Sequence, residues 1–281
     1  MTPADLPPDA LADIADDVHA RFGDCPSGAA SLADWLGITY LRHAGPEDVI
    51  TTEVFDQPVR VPGVSLVLAA TYRSGSTAIA DALVDAGGLG WPVEYFQTGA
   101  AHRRFARFDG DDYIGAVLSR RTDETGVFGV KLFPADVRDH AQVWPRLPAP
   151  VVVRVRRRDR VGQAVSAWRA LNGGPWRATA DDPVAAPPPY DFGRLRQLVG
   201  LFEWEDRWWD TFLTGGEKTV WFEDLAADYD RTILELLRGL AESGLSPGTA
   251  SGTRRLRRQA DADSEHMRMR FLAEYWSGKG S

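Results

Sequence analysis

The stretch LAATYRSGSTAIADAL, residues 68–83, sets out an apolar strand, a polar turn carrying a glycine, and a helix. Such a unit holds an anion on backbone N–H groups, because the amides of a helix N-terminus point outward and its dipole favours negative charge. Gly75 permits close approach of a ligand to the backbone, and Arg73 adds a planar guanidinium suited to forked contacts with oxygens. The anion-holding candidates are therefore Arg73, Ser74, Gly75, Ser76 and Thr77. The lysine that reaches the β- and γ-phosphates of a nucleoside triphosphate is missing: Gly75, Ser76 and Thr77 stand where Gly-Lys-Ser/Thr would. Taken alone, the turn is equally well explained as an ordinary strand-to-helix connection with Ser74 or Ser76 as N-cap.

Outward from this turn, apolar runs alternate with helical patterns. Strands are expected at VSLVLAAT (64–71), VFGVKLF (127–133), PVVVRVRR (150–157) and KTVWFEDL (218–225). Helices are expected near 76–86, 135–142, 160–171, 193–213 and 229–242. Continuous apolar strands separated by helices predict an α/β fold of three layers around a central, mostly parallel sheet, with ligands outside the strands' carboxyl ends. The expected division is a mixed N-terminal extension, residues 1–62, and a main domain, residues 63–281. The extension starts with a helix over 9–22, where Leu11, Ile14, Val18 and Phe22 recur at helical spacing, and holds a second short helix near 31–36. ITTEVF and VRVPG in the same extension alternate like strands, the Pro-rich ATADDPVAAPPPYD (178–191) reads as a loop, and the C-terminal run turns from basic to amphipathic.

Composition narrows the class. With 44% apolar and 10% aromatic residues, 281 residues can bury a full core. The net charge of −8 argues against a general nucleic-acid binder. A single cysteine, Cys25, rules out an internal disulfide framework and fits a reducing cytoplasm. The acidic N-terminus is no signal peptide, no run is long and apolar enough to span a membrane, and the scattered histidines lack metal-ligand spacing.

Two further stretches carry chemistry. In RVRRRDRVGQAVSAWRAL (154–171), arginines at a strand end lead into a helix, and Arg158 and Ser166 lie eight residues apart. A wholly helical span of that length is about 12 Å, so sharing one ligand group requires a bend between them. In GGLGWPVEYFQ (87–97), Glu94 stands beside Tyr95 and Phe96; a carboxylate among aromatics suits a general base, and the rings suit a sugar platform. Read singly, these are a solvated arginine run and a surface glutamate.

Together, TYRSGST, GWPVEYF, GVFGVKL, RRRDRVGQAVSAWRALNGGPW, VWFEDL and RRQADADS resemble, in order and spacing, the Stf0-type sulfotransferases over about residues 63–276. The resemblance implies a P-loop-like sulfotransferase fold and a homodimer. It implies that the loop holds the 5′-phosphosulfate of 3′-phosphoadenosine 5′-phosphosulfate (PAPS), leaving the bisphosphate PAP as product, without a metal. By the same likeness Arg73 assists at the sulfuryl and bridging oxygens, Arg158 and Ser166 grip the 3′-phosphate, and Glu94 is the base that takes the proton of an acceptor hydroxyl. Lys131, Tyr95, Phe96, Trp168 and Trp176 are the acceptor-site candidates, the last two flanking RALNGG. Tyr72 replaces a proline common in the family, a change expected to affect packing. The extension has no counterpart, so the acceptor is not carried over; a small carbohydrate or a glycosylated or nucleoside-like natural product is expected. The rivals are a P-loop kinase or NTPase using Mg-ATP, with Glu223 and Asp224 on a magnesium-binding strand, and a non-catalytic binding module. Phe202, Trp204, Trp208 and Trp209, on one predicted helix, are expected in the core or at an interface.

Overall fold

The computed structural model describes residues 5–24, 29–39, 57–97, 113–177, 186–249 and 260–279. Four strands, β1 (Val64–Ala70), β2 (Val127–Leu132), β3 (Pro150–Arg156) and β4 (Lys218–Trp221), form one sheet in the order β2-β1-β3-β4. All its pairings are parallel. β1 is central and buried from Ser65 to Ala70, as a strand covered on both faces must be. Its side chains alternate between two cores. Leu66, Leu68 and Ala70 point into one; Val67 and Ala69 point into the other, with Phe128, Val130 and Leu132.

The helices are α1 (Pro8–Phe22), α2 (Ala29–Trp35), α3 (Ser76–Ala86), α4 (Tyr113–Arg120), α5 (Pro134–Asp139), α6 (Arg160–Leu171), α7 (Phe192–Phe212), α8 (Phe222–Ala227), α9 (Tyr229–Glu242) and α10 (Ala262–Lys279). Several are started by aspartate caps that satisfy first-turn amides: Asp159 accepts from Gly162 N, Asp191 from Arg194 N and Asp228 from Arg231 N. α1 buries Ile14 and Val18 in the first core, against Gly200 of α7, where a Cβ would meet Val18 Cγ2 at 2.5 Å.

The strand order reverses at β1: β2 lies on one side of it, β3 on the other. The crevice between the loops leaving β1 and β3 is where such sheets take their ligands. KTVWFEDL departs from expectation. Its strand stops at Trp221, and Phe222 opens α8, because Glu223 turns back to accept the N–H groups of Arg158 and Asp159 at 3.0 and 3.1 Å. The stretch ITTEVF and most of the Pro-rich loop lie outside the described residues; VRVPG forms no strand.

Candidate functional site

The turn after β1 is held in an unusual shape. Arg73 adopts φ 61°, the left-handed region a side chain rarely enters, and Gly75 follows at φ 92°. Ser74 is not a cap: its hydroxyl donates back to Thr71 O at 2.8 Å. Gly75 itself occupies the cap position of α3 without a side-chain bond, so no side chain closes off the start of the helix; the Ala78 amide turns inward to Gly75 O at 3.0 Å, which leaves those of Ser76 and Thr77 as the outward-facing pair. A Cβ on Gly75 would also meet Phe222 at 2.9 Å.

Strain of this kind persists only where the surroundings impose it. Arg73 donates from Nε to Ser166 Oγ at 2.9 Å and from one terminal nitrogen to Trp176 O at 2.6 Å, with the Trp176 ring 5.6 Å away. Arg157, packed on the Phe222 ring at 4.3 Å, donates to Arg73 O at 3.3 Å. From behind, the buried Gln163 amide donates to Thr71 Oγ1 at 2.8 Å and Tyr72 O at 2.6 Å, while Arg160 fixes its oxygen at 3.0 Å. Burial, and then the like charge of Arg157, bring the Arg73 pKa down to about 10. Tyr72 stacks on Phe133 at 4.2 Å.

Across the turn lies a second constellation. Lys131, buried at the end of β2, places Nζ 2.5 Å from Glu94 Oε1 and donates to Thr77 Oγ1 at 3.2 Å. The Gln97 amide donates to Glu94 Oε2. Glycine makes this approach possible. The GLGWPV segment crosses β2 so closely that a Cβ on Gly129 would stand 2.8 Å from Leu89 O, Pro92 N and Trp91 N. Val93 then bridges Val130, and its carbonyl accepts from Lys131 N at 3.0 Å, which delivers Glu94 to the lysine. Parallel register sets Lys131 opposite Leu68, near the mouth of the β1 turn.

At the end of β3 two residues expected on one phosphate have different partners. Ser166 is bonded to Arg73, whereas Arg158 reaches outward, half exposed, to Asp224 at 3.0 Å and lies over the Trp221 ring at 4.4 Å. Glu223 and Asp224 are thus engaged by the Arg158 segment, as ties between elements.

Of the residues expected at the acceptor, several lie in the core. Tyr95 and Phe96 are buried in the second core, Tyr95 stacked on Phe128 at 5.8 Å, so their rings are walls of the fold rather than a platform. The Tyr95 hydroxyl donates to Trp91 O at 2.8 Å and accepts from Arg121 at 2.9 Å; burial pushes its pKa up to about 12. Trp168 is also core, its indole donating to Pro189 O at 2.9 Å. Trp176 alone of the expected aromatics stands at the turn. Phe202 and Trp209 are fully buried, as expected, and Trp209 donates to Ala70 O at 3.0 Å; Trp204 stacks on His19 at 4.8 Å.

Sequence reasoning missed Gln163, Arg157, and two buried carboxyls, Asp136 and Glu205. Burial raises the Asp136 pKa well above the usual range, with Glu94, Asp139 and Glu205 adding to it, and pushes Glu205 up to about 8. Among the described residues neither Glu205 oxygen has a hydrogen-bond partner. Among those residues, too, no group of three or more His, Cys, Asp or Glu is placed to hold a metal ion, and no helix is long and apolar enough to cross a membrane.

Residues 65–274 match the family described as Stf0 sulphotransferase. A trehalose 2-sulfotransferase of Mycobacterium tuberculosis is 30% identical over 188 residues, covering 51% of this chain and 70% of that protein. One from Mycolicibacterium smegmatis is 30% identical over 126 residues, covering 43% of this chain and 45% of that protein, less than half its length. Among solved structures, a sulfotransferase from Mycobacterium tuberculosis H37Rv aligns over 95% of this chain and 91% of its own, at 11% identity and a TM-score of 0.32.

Proposed function

Because the chain belongs to the Stf0 sulphotransferase family, we propose that it transfers the sulfuryl group of PAPS to a hydroxyl of a small carbohydrate or a glycosylated or nucleoside-like natural product. The observation that carries this reading is the meeting, at one sheet edge, of an uncapped helix start, Arg73, Lys131 and Glu94. An anion binder needs the first three; a transferase needs a carboxylate beside them.

In this reading, PAPS supplies an activated S–O bond whose bridging oxygen leaves with PAP. The α3 amides and Arg73 hold the phosphosulfate and meet the charge that grows on that bridging oxygen as the bond breaks. Glu94 accepts the proton of the acceptor hydroxyl while that oxygen forms its bond to sulfur. The transfer is in line, so positioning and electrostatics supply most of the rate. Ser166 and Arg158 meet the 3′-phosphate. For this, Arg158 exchanges Asp224 for phosphate oxygens, a small rearrangement for a half-exposed side chain. The residues suit the donor: neutral partners and a fixed guanidinium at the turn, a second arginine at the strand end. No metal is part of the scheme. The kinase reading is weakened by Glu223 and Asp224, which are tied to the Arg158 segment.

The relatives' names make trehalose the first acceptor to try. The test is incubation with radiolabelled PAPS and a panel of trehalose, other disaccharides and nucleosides. Labelled sulfate should pass to one class of them, and Glu94→Gln should abolish the transfer. Transfer of phosphate from Mg-ATP instead, with none of sulfate, would sink the proposal. A homodimer belongs to the same proposal, with sedimentation at micromolar concentration as its check.

A further inference from the structure

The proposed base is not idle. Glu94 Oε1 is in contact with the Lys131 ammonium at 2.5 Å and Oε2 with the Gln97 amide. An acceptor hydroxyl, neutral and weakly polar, has to compete with a full positive charge for Oε1. Lys131 meanwhile also touches Thr77 Oγ1, at 3.2 Å, in the first turn of the helix that would receive the donor. Its ammonium is a compact charge on a flexible stem with three rotatable donors, able to change partners without moving the backbone.

Resting on the reading above, that α3 receives the donor and Glu94 is the base, we propose that Lys131 is a positioning residue that changes partners when the donor binds. Before the donor is seated, Lys131 holds Glu94. The arriving phosphosulfate brings anionic oxygens to Thr77, and the ammonium moves to one of them. Oε1 is thereby released to the acceptor hydroxyl only when there is a sulfuryl group to transfer. Donor and base are coupled through one side chain, and coupling of this sort is reciprocal: whatever weakens the Lys131–Glu94 pair strengthens donor binding.

Calorimetric titration of PAPS into the full chain tests this with no knowledge of the acceptor. The set is wild type, Glu94→Gln, Lys131→Gln and the double variant, with Lys131→Met as the replacement should Lys131→Gln fail to fold. Glu94→Gln cannot hold the ammonium as an ion pair, so it should bind PAPS about tenfold more tightly than wild type. That gain should vanish in the Lys131→Gln background, and should shrink when PAP, which lacks the sulfuryl oxygens, replaces PAPS. With a lysine that merely props up the fold, any tightening comes from loss of the Glu94 charge alone and persists in the Lys131→Gln background. Equal or weaker binding by Glu94→Gln, or a gain that survives loss of Lys131, overturns the inference while leaving the donor reading intact. A wild type that takes up neither PAPS nor PAP overturns the donor reading and this inference with it.

Discussion

Two arginine clusters lie at the carboxyl edge of the sheet, and they are held in opposite ways. Arg154, Arg156 and Arg160 all close on Asp206, the first two at 2.6 Å. Burial alone would raise the Asp206 pKa, but Arg160, Arg154 and Arg156 bring it below the ordinary value. In the second cluster Arg157 still faces a carboxylate, Asp159 at 3.7 Å, but Arg73 is held by the Ser166 hydroxyl and the Trp176 carbonyl, with the Trp176 ring beside it. Burial lowers the pKa of Arg154 and of Arg73 alike, but at Arg154 the Asp206 carboxylate opposes the shift, whereas at Arg73 the like charge of Arg157 adds to it. A guanidinium compensated by a buried carboxylate is committed to the fold. One set among a hydroxyl and a carbonyl, as Arg73 is, suits the proposed role of meeting an anion that comes and goes.

The contrast is broken most severely from the structural side. Asp206→Ala leaves buried Arg154 with Asp210 at 3.5 Å and buried Arg160 with Glu203 at 2.9 Å in place of the shared carboxylate, and loss of one partner of such a network typically costs about 3–5 kcal/mol. Urea denaturation should therefore show a much lower midpoint, whereas an unchanged one would mean that water or Asp210 takes over. Arg73→Ala should do the reverse. Its folding midpoint should move far less than that of Asp206→Ala, while sulfuryl transfer falls about 10²–10³-fold, the loss expected of one transition-state donor.

Glu205 sharpens the comparison through pH. Its pKa is raised from 4.5 to about 8 by burial, so the native state favours the neutral carboxyl. The unfolded chain ionises it above its ordinary value, and stability is lost steadily as pH climbs from there towards 8. Glu205→Gln, neutral at every pH, should leave the thermal midpoint nearly unchanged at pH 4.5 and raise it at pH 8, by up to a few kcal/mol of stability. An equal effect at both pH values would show that Glu205 is ionised in the native protein. The smallest effect is expected at the half-exposed Arg158, where Arg158→Ala should weaken PAP binding about tenfold, the discount of an arginine that must first leave Asp224.

How far the sequence carried these assignments depended on range. Helices α3, α6 and α9 begin and end where their patterns predict, because glycine, Asp159 and Asp228 mark their starts within the local chain. The sheet was legible for the same reason, each strand being a continuous apolar run. What could not be read were matters of orientation. Tyr95, Phe96 and Trp168 have the composition of a sugar platform, but whether a ring faces ligand or core is set by packing against distant segments. The tie of Glu223 to the Arg158 segment, which cuts the fourth strand short, joins residues more than sixty positions apart. The meeting of Glu94, Lys131 and Thr77 likewise follows from parallel register. One signal for it was present: Gly129, in the middle of a β-pattern, marks the close approach of another backbone.

In the proposed function, the β1 turn and the strand-end arginine serve a 3′-phosphorylated nucleotide and not a triphosphate. Calorimetric titration of PAP, beside ATP with magnesium, into wild type and Arg158→Ala tests it most directly. PAP should bind tightly without metal and more weakly to the variant, with little uptake of Mg-ATP by either. Preference for Mg-ATP, with no effect of the substitution, would contradict it.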